Sequence, residues 1–371
     1  MMSRLDHEIK ARGPAKLAGA AESAIGRSVF RRIAARQSGV LVGYLLAGFV
    51  GGLAYRLLHD EPAERDLANF LRSGLHGVGL FLTVWAVQAS TGARSPLGAA
   101  LRRLPLAADV ILRALVMTAA LTVVGASLQL VLYRSVGESW LTLDLPMIVA
   151  ASFAFSMVVG VMSGIRRLVG AALLTSVLLG TYHRPTRRRL IVMFLDLANS
   201  TRLAEAMGEL RVHDLITRFF FDIDEPIGDF DGAVLAYVGD EVIVSWPVTD
   251  DPARNARCLA CFFAIERKIA GLAPDYEAKF GVVPAFRAGI HAGAVVVSEC
   301  GDAKRQLAYF GDTMNVAARL CEYCKTINRR LVVSGELLRL MQIPDGLEVG
   351  EGKSVAARGR QEPVEAHVVE H

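Results

Sequence analysis

Asn315 and Arg319 stand four residues apart in Gly311-Asp312-Thr313-Met314-Asn315-Val316-Ala317-Ala318-Arg319, just after the helix-start signal Gly-Asp-Thr. Residues i and i+4 share a face of a helix, so an amide and a guanidinium point the same way. Neither is deprotonated at pH 7. Such a pair suits negative charge that develops on a reacting phosphate. Two acids complete the pattern. Asp196 closes the apolar run Leu190 to Leu197, and Asp240 lies in Gly239-Asp240 between the β-type runs 233–238 and 241–246. A hairpin turn there can hold Asp240 near Asp196. Carboxylates that converge on one point suit Mg²⁺ or Mn²⁺, which prefer oxygen ligands and keep waters and substrate phosphates. Asn199-Ser200-Thr201, directly after the first acid run, opens a helix whose free N–H groups can face a phosphate. One Asp at a strand end is by itself a turn or a cap. The four groups together read as a site.

These residues need elements to hold them. The spacing predicts strands over 190–197, 233–238 and 241–246, a Phe-rich helix over 210–228 and a helix from Asp312. They occupy only the second half of the chain. All 371 residues together are 53% hydrophobic with a mean hydropathy of +0.37, too apolar for one soluble domain. The excess lies in the first half, where segments near 39–58, 73–91, 110–133 and 146–164 are each long enough to cross a bilayer. Arg113 is close enough to the end of its segment to snorkel. Net charge alternates along the flanks: +5 over 1–38, −2 over 59–72, +3 over 92–107 and −1 over 134–145, with Arg166 and Arg167 after the last span. The excess of Lys and Arg marks the cytoplasmic side, so both termini are expected in the cytoplasm of a multi-pass plasma (inner) membrane protein. No secretory signal peptide is evident, and lipid is the expected surround of the spans. The expected organisation is a cytoplasmic segment 1–38, a four-span membrane domain 39–164, a linker helix 165–185 and a catalytic domain 186–371. Gly48 and Gly52, and Gly160 and Gly164, form small-xxx-small pairs of the kind that packs helices, although the ordinary frequency of Gly in membrane helices is the favoured account of them. No regulator of the membrane half is legible. A net charge of +4, unevenly placed, gives no reason to expect nucleic acid as a partner.

The three motifs, in this order and spacing, resemble the catalytic domain of class III nucleotidyl cyclases, the adenylyl and guanylyl cyclase family, over about residues 186–371. The resemblance implies an α+β fold with a ferredoxin-like core. It implies Asp196 and Asp240 as ligands of two metal ions per site, Mg²⁺ or Mn²⁺, helped by the carbonyl of Leu197. It implies Asn315 and Arg319 as the transition-state pair and Arg358, in Ala357-Arg358-Gly359-Arg360, as a phosphate contact beside Asn199, Ser200 and Thr201. In that family the acids and the Asn/Arg helix come from different catalytic domains. A chain carrying both sets is therefore expected to be a homodimer that converts ATP to cyclic AMP and pyrophosphate. Membrane-anchored bacterial adenylyl cyclases are the nearest kind.

This sequence departs from the family at the base-reading positions. Adenylyl members carry Lys, and Asp or Thr, where Ala236 and Ala308 stand; guanylyl members carry Glu and Cys. Tyr237 and Tyr309 follow the two alanines, and alternation turns them to the opposite faces of their strands. Base choice is thus open between ATP and GTP, and a guanylyl or relaxed-specificity cyclase remains an alternative, as does a silent nucleotide-sensing or dimerisation module. Cys258 and Cys261, and Cys321 and Cys324, have a zinc-like spacing within helical stretches and read as packed reduced thiols. His291 reads as a structural strand-end residue, and Arg187-Arg188-Arg189 as a solvated flank of the membrane or the start of a strand.

Overall fold

A computed structural model describes residues 39–55, 57–58, 66–92, 95–101, 104–133, 145–169, 184–301, 306–355 and 363–370. Residues 1–38, most of the expected linker helix, and Arg358 lie outside the described residues. The chain divides into two compact units, one spanning Arg32–Leu179 and the other taking in Gly180–His371.

The first unit is helical: α1 (Gly39–Tyr55), α2 (Leu67–Thr91), α3 (Pro96–Leu101), α4 (Leu106–Tyr133) and α5 (Leu145–Val169). Of these, α2, α4 and α5 are long and apolar enough to cross a membrane. The fourth expected span, α1, is an apolar helix but a shorter one. The glycine pairs do pack helices, contrary to the expectation above. A Cβ on Gly48 would lie 2.6 Å from the carbonyl oxygen of Gly77, and one on Gly52 would lie 2.0 Å from that of Ser73. So α1 and α2 touch backbone to backbone, a contact that only small residues permit. Gly160 and Gly164 lie likewise against Val110 and Leu106 of α4. Arg113 does not snorkel. Its guanidinium binds the carboxylate of Asp109 one turn back and the carbonyl of Thr91 at the end of α2, which satisfies a buried acid.

The second unit is built on β1 (Thr186–Leu197), followed by α6 (Ser200–Met207), α7 (Glu209–Asp229), β2 (Ala233–Val238), β3 (Glu241–Pro247), α8 (Pro252–Asn255), α9 (Arg257–Gly271), α10 (Ala273–Phe280) and β4 (Phe286–Cys300). The spatial order β2-β3-β1-β4 is antiparallel throughout. With helices in the two crossovers this is the expected ferredoxin-like core. After β4 come β5 (Gln306–Phe310), α11 (Asp312–Ile327), β6 (Leu331–Ser334), α12 (Gly335–Leu338), β7 (Glu348–Val349), β8 (Lys353–Val355) and β9 (Val364–Glu370). Strand β6 returns parallel to β4, so α11 is the crossover helix that a parallel pair requires.

Residues Ile191 to Leu197 are all buried, because β1 is covered on both faces. That is why the segment is apolar without alternation. Ile191, Met193 and Leu195 meet Leu215, Phe219 and Ile223 of α7 and Phe262 of α9. Each such side chain contributes roughly 1.5–3 kcal/mol on burial. On the other face Val192 and Phe194, with Ile243, Val295 and Val297, meet Ala317 and Cys321 of α11. His291 is not at a strand end: it sits inside β4, 2% exposed, with Nδ1 2.8 Å from Ser334 Oγ.

Candidate active site

Asp196 is the last residue of β1 that pairs on both sides. Glu241 of β3 and Arg287 of β4 stand directly opposite it. Directly paired residues point to one face, so Glu241, Asp196 and Arg287 form a row on the α11 side of the sheet. The Gly239-Asp240 turn closes the β2–β3 hairpin, with Gly239 at a φ of +64° that suits a residue without Cβ. The N–H of Leu197 donates to the carbonyl of Asp240 at 3.2 Å, which ties this turn to the end of β1. The two predicted acids are thereby brought together.

Three carboxylates, Asp196, Asp240 and Glu241, act on one another here, against the cations Arg287 and Lys325. Burial pushes the Glu241 carboxyl up to about 7, and the neighbouring Asp196 and Asp240 push the same way. Burial also raises Asp196, against a pull from the Lys325 ammonium, whose Nζ lies 3.0 Å from Asp196 Oδ2. Among the described residues no three His, Cys, Asp or Glu side chains converge on one point. Two carboxylates and the next carbonyl, Leu197, are a donor set of the kind Mg²⁺ takes when phosphate oxygens and water fill its other positions. The residues present therefore fit a hard divalent cation.

Helix α11 lies directly on β4. A Cβ on Gly289 would fall 2.2 Å from the backbone nitrogen of Cys321, and Thr313 Oγ1 donates to the carbonyl of Ala294 at 2.8 Å. Val316, Ala317, Leu320, Cys321 and Cys324 face inward, which leaves Asn315 exposed and Arg319 partly exposed on the outer side. The pair shares a face as its spacing predicts. Arg319 is ion-paired with Glu322, one turn on, and both are solvated enough for the contact to be weak. Lys325, which touches Asp196, is on the same helix. At 1.5 Å per residue, Arg319 and Asn315 lie about 9 and 15 Å back along the axis from Lys325. Within one chain the Asn/Arg pair and the acids thus lie on one face of the sheet, the pair toward the start of α11 and the acids beside its second half.

Asn199 adopts a left-handed conformation, φ 60°, and α6 begins at Ser200, so Ser200 and Thr201 are its first residues, next to the acids. Tyr237 and Tyr309 face opposite to Ala236 and Ala308, as alternation predicts, but the two alanines do not share a face. A bulge in β2 lies between Val234 and Ala236, and Leu235 and Ala236 both pack against the α11-side cluster. Tyr237 turns the other way, its ring 4.7 Å from that of Phe220. On β5, Leu307 and Tyr309 reach that same cluster, while Ala308 pairs with Ser298. Tyr309, not Ala308, therefore shares a face with Ala236. The four helical thiols each donate to a backbone carbonyl: Cys258 to Asn255, Cys261 to Pro226, Cys321 to Arg287 and Cys324 to Ala288. Burial raises every one, Cys258 and Cys324 to about 12, so they are protonated packing residues.

Sequence reasoning missed Glu241, Arg287, Glu322 and Lys325. For Glu241 a signal was available, since the residue after a two-residue hairpin turn starts the paired strand. Nothing local marks Lys325 or Arg287, which reach the site through register and helix packing.

Residues 183–371 match the family model described as the adenylate and guanylate cyclase catalytic domain. Over 180 residues the chain is 37% identical to Adenylate cyclase 2 of Rhizobium meliloti (strain 1021), covering 48% of this chain and 49% of that protein. Over 189 residues it is 29% identical to Adenylate cyclase 1 of the same organism, covering 49% of this chain and 28% of that protein. The chain thus spans half or less of the length of these curated relatives. The crystal structure of the adenylyl cyclase CyaB from P. aeruginosa aligns with 51% of this chain and 96% of its own, at 22% identity and a TM-score of 0.44. With three ordered motifs on a ferredoxin-like core and a match over half its length, the chain belongs to the adenylate and guanylate cyclase catalytic domain family.

Proposed function

We propose that this chain is a membrane-anchored adenylyl cyclase that converts ATP to 3′,5′-cyclic AMP and pyrophosphate at sites shared between two copies. The observation that carries the reading is the separation along α11. Lys325 meets Asp196, and Arg319 and Asn315 lie about 9 and 15 Å back from Lys325 along the helix axis. A second copy, related by a two-fold axis, would present its Asn315 and Arg319 to Asp196 and Asp240 of the first. Each dimer then has two equivalent sites.

In the reaction the ribose 3′-hydroxyl gives its proton to water as its oxygen attacks the α-phosphorus, the bond from that phosphorus to the bridging oxygen breaks, and pyrophosphate leaves. Asp196, Asp240 and the carbonyl of Leu197 would hold two ions, Mg²⁺ or Mn²⁺. When bound, these ions supply a more acidic 3′-hydroxyl and neutralise the triphosphate. The N–H groups at the start of α6, from Asn199 to Thr201, and the side chain of Arg358 orient the phosphates. Asn315 and Arg319 donate to phosphate oxygens on which charge develops, an interaction strongest at the transition state. Three apolar helices support membrane anchoring, with α1 as a fourth span and both termini on the cytoplasmic side of the plasma membrane.

A second reading concerns the base. Ala236 and Ala308 offer it no side-chain hydrogen bond, which favours a relaxed nucleotidyl cyclase that also accepts GTP.

Complementation tests the shared site. Asp196→Ala and Asn315→Ala chains are each expected to be inactive and to regain activity when mixed, because one site of the heterodimer keeps every group. Mixed dimers that form and stay inactive would mean each site is built within one chain.

A further inference from the structure

Lys325 is not explained by the reaction. It projects from the solvent side of α11, its side chain 55% exposed, yet its Nζ lies 3.0 Å from Asp196 Oδ2, and the Asp196 side chain is only 9% exposed. This cation stands against the carboxylate that the metal reading requires. A divalent ion on Asp196 would sit about 2.1 Å from the carboxylate oxygen. An ammonium 3.0 Å from that oxygen then repels the ion and occupies its place, although Oδ2 accepts no hydrogen bond from it. Lys325 can leave, because its four-carbon stem is solvated. Glu241, paired with Asp196 across the strands and within the electrostatic reach of Lys325, offers it a second anchor.

We propose that Lys325 is a built-in counter-cation of the metal site: it balances Asp196 when no divalent ion is bound and must give way when one binds, so it sets metal affinity. Lys325 is a positioning residue in this scheme, since it acts through Asp196 and never touches the nucleotide. The inference rests on the reading of Asp196 as a metal ligand. It implies that metal and Lys325 are alternatives at one oxygen, and that with little metal Lys325 and Arg287 together balance the three neighbouring carboxylates.

The test measures metal binding directly. Full-length protein in detergent, stripped with EDTA and then freed of it, is titrated with Mn²⁺ alone at fixed ionic strength, and free Mn²⁺ is read by electron paramagnetic resonance. Lys325→Met, which keeps the stem and removes the charge, is expected to bind Mn²⁺ roughly three- to tenfold tighter, the scale of one solvated charge contact near a divalent ion. Lys325→Gln should shift the same way, and Lys325→Arg should stay within about twofold of wild type because the charge remains. In EDTA, Lys325→Met should melt lower than wild type, and Mn²⁺ should raise its melting temperature by more than it raises that of wild type. An affinity of Lys325→Met and Lys325→Gln that is unchanged or weaker overturns the proposal. Asp196→Asn separates the two ideas: it should lose the Mn²⁺ site, and if it binds as wild type does, the metal reading of Asp196 fails instead.

Discussion

Replacing Gly289 with Ala tests how closely α11 must rest on the sheet. The position lies inside β4 and needs no left-handed backbone, so the added methyl acts only by its volume. That methyl would lie 2.2 Å from the nitrogen of Cys321, 2.5 Å from the oxygen of Ala317 and 2.6 Å from the carbonyl carbon of Leu320. Ordinary contact begins at 3.4 Å, a shortfall of 1.2 Å at the nearest atom. All three atoms are backbone of α11, so no side-chain rotation relieves the clash and the helix must lift by about 1 Å. Overpacking of this kind costs about 1–3 kcal/mol. For a domain of this size each kcal/mol lowers the melting temperature by about 2–4 °C. The rate should suffer more, because Asn315 and Arg319 ride on that helix and a displacement of about 1 Å can cost ~10² in rate. The assay is cyclic AMP formation from ATP by the full-length protein, beside its thermal unfolding. Gly228→Ala is the matched control: a helical glycine with nothing within 4 Å of the added methyl, expected to keep the wild-type rate. If Gly289→Ala keeps more than about half of the wild-type rate, close seating of α11 is not what positions the pair.

Three other outcomes follow from the same geometry. Arg319→Ala should lower kcat by ~10²–10³ with little change in KM for ATP, since its charge matters most at the transition state; a change in KM alone would assign it to ground-state binding. In native protein at pH 7.5 a maleimide should label Cys300 and leave Cys258, Cys261, Cys321 and Cys324 unmodified, because the four are buried and their thiols raised; intact-mass spectrometry counts the adducts, and more than one contradicts the packing described. Steady-state kinetics with both nucleotides should give a preference for ATP over GTP below ~10³ in kcat/KM, since no side chain at Ala236 or Ala308 penalises the wrong base; a larger preference would mean that other groups, such as Tyr309 beside Ala236, already read adenine.

Local signals in the sequence were enough for the elements that carry Asp196, Asp240, Asn315 and Arg319. The unbroken apolar run before Asp196 is a doubly covered strand, Gly239-Asp240 is the hairpin turn, Gly311-Asp312-Thr313 starts the helix, and Asn315 and Arg319 share its face. Each depends on periodicity, capping or turn chemistry that neighbours in the chain define. The elements that gather the site depend on contacts between distant segments. Strand register set Glu241 and Arg287 on either side of Asp196, and one bulged residue put Leu235 and Ala236 on the same face, against the alternation that the sequence predicts. The seating of α11 on Gly289 brought Lys325 to Asp196 and left Asn315 about two to three helical turns back from Lys325 along the helix. Composition could not decide these points, because a one-residue slip or a lifted helix changes which side chains meet without changing any local propensity.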